Sequence, residues 1–478
     1  MFFTAILLPF QMVEGQGYNP SNKSEISFDR KTTLIEHFRK DNATYELSNV
    51  LDLSGDTLVI AENSILVFKR RGQIRNGHVI FKNTTIESKD KTIFKNITAV
   101  GTLTNRTIIV KWFDCSPNTK PEENFRTLKY AVLPVAIKSG ADVYHSERGT
   151  YRILGQYPIY ESSWKKDHSY IRDFNNITIY GKGYKTIIKA TRYKDELNPG
   201  DVFNMIDLKN LHVRDLGITS EAALSGNAPH GTNGVSLVES IENVSVSNCR
   251  IFDLPSNYRS TEVTVDGGHG ITIQAADSNT IQRNIRIYNN LIENVSLGLD
   301  YSKGSLGRKG VVDNVVFEKN TIVSSYVGFY SHGYHEDVSK SSLVIGNIFK
   351  NCQYGIYGYA MQGFTFRRNT IQTTKRTIKD TKISNGVYGI LLYGPKDIVL
   401  ENNVVELRNA DSFLLIDVVS ENPRYNGFIE DVHIINNSYK GNAKNKYLIR
   451  NDTKYAHKLC IEDNVININE IKDDTNEE

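Results

Sequence analysis

Tryptophan, cysteine and proline are scarce: 2, 4 and 11 among 478 residues. Cys115, Cys249, Cys352 and Cys460 stand far apart with no Cys-x-x-Cys pair, so no zinc or dithiol motif is written here, while disulfide pairing stays open. The shortage of proline leaves sheet ladders uninterrupted. Charge of one sign is also lacking. The net charge is +3 with no long basic run, which argues against nucleic acid as a partner. Acidic residues are too sparse to supply the several oxygens a calcium ion needs, so neither metal nor cofactor is expected. Beyond the N-terminus no apolar run could span a bilayer. Phe2 to Phe10 is apolar but too short for that. It reads either as the core of a secretory signal over residues 1–17, which would place the protein outside the cytoplasm, in the periplasm or at the cell surface, or as a buried strand.

What is abundant is aromatic side chains (26 Tyr, 20 Phe) and a recurring asparagine. The frame is apolar, any, apolar, any, any, Asn. It reads Ile285-x-Ile287 before Asn290, Val315-x-Phe317 before Asn320 and Phe364-x-Phe366 before Asn369. It returns before Asn403, Asn437 and Asn464, with looser copies near Asn248 and Asn347. Repeats of roughly 20–50 residues built from short alternating strands and polar turns describe a solenoid. Stacked coils would let the asparagine amides bond along the stack, which is how a polar side chain survives inside a turn.

Residues 18–111 read as an N-terminal β module and 112–478 as the solenoid. Near the start of the second, Pro121-Glu122-Glu123 predicts a helix start, with Phe125, Leu128, Val132, Val135 and Ala136 on one face and Ser139-Gly140 at the end. Such a helix would cap the first coil and hide its edge.

These coils resemble the right-handed parallel β-helix of the pectate-lyase-like superfamily. The helix followed by Gly140-Ala141-Asp142-Val143 and Gly149-Thr150-Tyr151-Arg152-Ile153 is similar to the N-terminal segment of polygalacturonase-like enzymes and tailspikes. Gly72-Gln73-Ile74-Arg75-Asn76-Gly77 resembles modules of β-helix proteins from gut bacteria. The resemblance implies an all-β solenoid that acts on or binds a polysaccharide, as a monomer or a homotrimer. The family's paired-aspartate, arginine and calcium signatures are not recognisable here, so the activity is not implied residue by residue.

A second recurring mark places side chains. Gly270, Gly298, Gly328, Gly355 and Gly389 each precede an apolar residue: Ile271, Leu299, Phe329, Ile356 and Ile390. If those point inward, Thr272, Asp300, Tyr330, Tyr357 and Leu391 form one outward column. Gln274, Ser302, His332, Tyr359 and Tyr393 form the next. Tyrosine faces suit pyranose rings. His332 is the candidate base, Tyr330 the candidate acid, and Asp300 lies on a diagonal of roughly 7–8 Å from His332, too long for a hydrogen bond. Lys303, Arg308 or Lys309 would neutralise a uronate carboxylate. Tyr357, Tyr359, Tyr393, Gln274 and Arg308 would bind substrate. A hydrolase would instead pair Asp300 with Asp266, Glu336 or Asp337. The expectation is a polysaccharide lyase or, less favoured, a glycoside hydrolase; the rival is a non-catalytic glycan binder or adhesin.

Overall fold

The computed structural model describes residues 38–159, 173–192, 201–221, 232–254, 257–258, 265–266, 268–274, 280–302, 310–332, 342–373, 386–417, 429–449 and 456–467. The alternating segments form strands, and each strand bonds to its counterpart one coil away. Strands from Thr107–Ile109 to Val465–Asn467 join in a 28-stranded sheet, and all its pairings among the described residues are parallel. This is the parallel β-helix solenoid expected from the sequence. A separate 6-stranded sheet, also parallel, spans Thr44–Leu47 to Phe94–Leu103. Asn76-Gly77 lies inside the strand Gln73–Glu87, and Asn76 has φ 57°.

The asparagine frame builds a continuous ladder. Each Nδ2 donates to the Oδ1 of the next coil's asparagine at 2.9–3.0 Å, from Asn290 through Asn320, Asn347, Asn369, Asn403 and Asn437 to Asn464. Each Oδ1 also accepts the backbone N–H of the asparagine before it. Asn347 is therefore a full member. Asn248 is not: the first position of the column is Cys249, whose N–H bonds Asn290 Oδ1, and Asn248 sits one residue earlier in the left-handed region. A second, exposed column joins Asn210, Asn243, Asn284 and Asn314. Its members have positive φ, which asparagine tolerates better than most residues.

The inward residues Ile271, Leu299, Phe329, Ile356, Ile390 and Leu414 stack in register and are fully buried. The glycines before them allow close approach. A Cβ on Gly328 would sit 2.5 Å from the Phe349 ring and 2.6 Å from the Gly355 carbonyl oxygen.

The helix runs Pro121–Thr127, widens to a π turn over Leu128–Val132, and continues Leu133–Ser139 to Gly140 in the left-handed conformation. Pro134 accounts for the widening, because it has no N–H to give to the preceding turn. Leu128, Val132, Val135 and Ala136 are buried, while Phe125 is half-buried. The helix touches both Phe94–Leu103 and the strands Gly149–Leu154 and Asp173–Tyr180 of two successive coils, as a cap should. No helix among the described residues is long and apolar enough to cross a membrane.

Candidate functional site

Five strands lie side by side: Ile271–Gln274, Leu297–Ser302, Val327–His332, Tyr354–Tyr359 and Tyr388–Tyr393. Their pairing places Thr272, Asp300, Tyr330, Tyr357 and Leu391 in one column. Gln274, Ser302, His332, Tyr359 and Tyr393 form the neighbouring one. Both columns are those expected from the glycine frame.

Exposure differs from expectation. Asp300 is only 2% accessible, and Thr272 and Leu391 are buried as well. Asp300 faces away from the core but is roofed by its own partners. Thr272 Oγ1 donates to Oδ2 at 2.7 Å, Ser302 Oγ donates to Oδ1 at 3.0 Å, and His269 Nδ1 lies 3.1 Å from Oδ2. A carboxylate so enclosed cannot flank a sugar directly. Burial pushes its pKa upward, but the hydrogen bond and charge of His269, the charge of His332 and the Thr272 hydroxyl outweigh that and hold it below the ordinary carboxylate value.

The gap between Asp300 and His332 is closed by Ser302, whose Oγ lies 2.8 Å from His332 Nδ1. The hydroxyl has one proton, and an ionised Asp300 can only accept it. Ser302 Oγ is then left to accept from His332, so the imidazole carries a proton on Nδ1, and in its neutral form the lone pair is on Nε2. That is the tautomer of a poised base. His332 and Tyr330 are half-buried, with ring centroids 5.4 Å apart.

Beyond the imidazole the face turns aromatic. Tyr330 lies against Tyr357 at 5.3 Å, Tyr357 on Tyr354 at 5.4 Å, and Tyr393 contacts both Tyr357 and Tyr359. Tyr330, Tyr354, Tyr357 and Tyr393 form with Leu391 and Leu415 an apolar patch separate from the solenoid core. Burial, then the neighbouring Tyr393, Tyr354 and Tyr359, push the Tyr357 phenol well above its ordinary value, so it stays protonated.

The structure thus brings together Asp300, His332, Tyr330, Tyr357, Tyr359, Tyr393 and Gln274. Lys303, Arg308, Lys309, Glu336 and Asp337 lie outside the described residues, and Asp266 is described only through its backbone pairing with Asn257. His269 and Ser302 complete this arrangement, and the sequence reading assigned neither a role. Ser302 was legible: it stands in the His332 column, two residues from Asp300.

No family model and no curated protein matches the chain. Among solved structures, the A-module of mannuronan C-5 epimerase AlgE6 from Azotobacter vinelandii is similar at 12% identity and a TM-score of 0.45, covering 75% of this chain and 99% of that one. An exopolygalacturonase from Thermotoga maritima aligns at 12% identity and a TM-score of 0.33, over 91% of this chain and 86% of that one. The surface protein and adhesin PfbA of Streptococcus pneumoniae aligns at 11% identity and a TM-score of 0.24, over 89% of each chain. A gut-bacterial origin gains no support from these likenesses. The fold rests on the strand pairing itself.

Proposed function

We propose that this face binds an acidic polysaccharide and cleaves it by β-elimination. The observation that carries the reading is the hydrogen-bonded line from buried Asp300 through Ser302 to His332, ending beside a tyrosine surface. His332 Nε2 takes the proton from the carbon next to a uronate carboxylate. The electron pair forms the new double bond as the bond to the β-oxygen breaks, and Tyr330 protonates the departing oxygen. Tyr357, Tyr359, Tyr393 and Gln274 hold the neighbouring sugar rings, and Lys303, Arg308 or Lys309 is assigned to the carboxylate. Asp300 is a positioning residue, which removes it from the carboxylate pair a hydrolase would need. The protein acts outside the cytoplasm if residues 1–17 are a signal.

The test is incubation with acidic and neutral polysaccharides, following ultraviolet absorbance of unsaturated uronates alongside reducing ends. Absorbance that falls about 10²–10⁴-fold in His332→Ala is expected for a lost acid–base group. Reducing ends without absorbance would overturn elimination in favour of hydrolysis. Saturable binding with neither product would assign the face to non-catalytic glycan recognition.

A further inference from the structure

His269 is a buried histidine to which the proposed elimination gives no task. Its side chain is 9% accessible, and Nδ1 stands 3.1 Å from Asp300 Oδ2. The residue is tied to the two coils before it. Its backbone N–H donates to Asn233 Oδ1 at 3.0 Å, the Asn233 N–H donates to Asp201 Oδ1 at 2.9 Å, and Ser236 Oγ donates to Asp201 Oδ2 at 2.6 Å. These groups stand on the same run of paired strands as His332.

The two oxygens of Asp300 have different company. Oδ2 faces Thr272 Oγ1, which donates at 2.7 Å, and His269 Nδ1. Two acceptors do not rest 3.1 Å apart, so beside an ionised Asp300 the His269 Nδ1 carries a proton. Oδ1 faces the Ser302 hydroxyl at 3.0 Å, and a hydroxyl can turn round. Asp300, Ser302 and Thr272 are all buried, so each proton has to find its acceptor among these groups.

That asymmetry gives the line to His332 a direction. With Asp300 ionised, Ser302 donates to Oδ1 and accepts from His332 Nδ1 at 2.8 Å. A proton added to Asp300 goes to Oδ1, because Oδ2 already meets two donors. Oδ1 then donates to Ser302, Ser302 turns its own proton to His332 Nδ1, and the neutral ring carries its proton on Nε2 instead. Nε2 would donate where it otherwise accepts.

We propose that His269 is a positioning residue for His332: by meeting Asp300 at Oδ2 it fixes the direction in which protons point along Asp300, Ser302 and His332, and so leaves Nε2 of the neutral ring as the acceptor. Around Asp300, His269 and Thr272 come from the preceding coil, Ser302 from its own strand, and Tyr330 and His332 from the next. Burial opposes ionisation of Asp300, and the hydrogen bond and charge of His269 are the largest effects that overcome it, ahead of the charge of His332. The proton direction needs no activity to be true; its bearing on rate rests on the proposed elimination.

The experiment is long-range ¹H–¹⁵N correlation NMR of the full chain with ¹⁵N-labelled histidine at pH 8, above the ordinary histidine pKa of about 6.5. The His332 signals are those absent from His332→Ala. In the wild type the lone pair is expected on Nε2. Asp300→Asn should move it to Nδ1, because the two donors at the Oδ2 position hold the amide oxygen there and turn the amide NH₂ toward Ser302. His269→Phe keeps a flat ring without a donor and should shift the neutral His332 ring toward the Nε2–H form; His269→Ala serves if it does not fold. His269→Asn, whose Nδ2 stands where the imidazole Nδ1 stood, should restore the wild-type form. In the elimination assay kcat should fall at least about tenfold in His269→Phe, with KM changed less, and recover in His269→Asn. The proposal is overturned if the wild-type ring carries its proton on Nε2 or both protons at pH 8, or if Asp300→Asn or the folded donorless variants keep the wild-type tautomer. The expected tautomers without any elimination would sustain the proton direction and overturn the function proposed for the face.

Discussion

Asn369→Ala should destabilise the solenoid far more than one side chain's size suggests. Asn369 Oδ1 accepts from the N–H and Nδ2 of Asn347, while its Nδ2 donates to the Val344 carbonyl and to Asn403 Oδ1. Alanine removes four hydrogen bonds at a fully buried position. Asn403 Oδ1 keeps a donor, the N–H of residue 369. The Asn347 N–H, one Nδ2 proton of Asn347 and the Val344 carbonyl are left without partners. At about 1–3 kcal/mol for each buried unsatisfied group, with some relaxation, the cost is about 3–6 kcal/mol. That is a large part of a usual folding free energy. Asn464→Ala is the control. It is the last member of the column among the described residues and is half-buried, so water can replace part of what is lost, and less than half the effect is expected. Asn369→Asp sharpens the test. It keeps the size but turns an oxygen toward the Val344 carbonyl and Asn403 Oδ1, so at neutral pH it should be at least as damaging as alanine. Urea and thermal unfolding followed by circular dichroism measure all three. An Asn369→Asp protein as stable as the wild type, or equal losses from Asn369→Ala and Asn464→Ala, would refute the ladder's energetic role.

Burial holds His145 neutral, with its pKa brought down to about 3, beside the Tyr157 hydroxyl. The unfolded chain binds a proton that the folded one refuses, so this contribution is intact above pH ~6.5 and declines by about 1.4 kcal/mol per unit as pH falls toward the folded value; His145→Gln should flatten that slope by one proton in urea titrations between pH 7 and 4. Asp300 is held below its ordinary value, so its stabilisation is present above the unfolded carboxylate pKa and fades as pH drops through the folded one; Asp300→Asn should remove that acid limb and, in the proposed elimination, lower kcat more than it changes KM. Gly328→Ala forces a methyl against Phe349 and the Gly355 carbonyl, and should cost about 1–3 kcal/mol in thermal melts.

The solenoid was legible because its signals are local and periodic. Two-residue alternation sets which side chains enter the core, and one asparagine per coil sets the register. The outward columns followed from the same parity, and the pairing of Asp300 with Tyr330 and of Ser302 with His332 agrees with them. Accessibility was not legible. Parity says that Asp300 points away from the core, but His269, which lies on the preceding coil, is what covers it. Nor could spacing show that Ser302 bridges a diagonal too long for direct contact. Asn248 misled for a related reason: in the left-handed slot before the ladder asparagine is as welcome as in the ladder itself, and the motif cannot tell which of two adjacent positions turns inward.

Asn347 and Asn369 stand 22 residues apart in equivalent positions, each bonded to the coil on either side. Excising 348–369 would therefore splice Asn347 onto Thr370 in the same frame and let Asn347 reach Asn403. The missing cassette carries Tyr354, Tyr357 and Tyr359 but neither His332 nor Ser302. The chain is thus editable in whole turns: the tyrosine face can be shortened by one coil while Ser302 and His332 stay where they are.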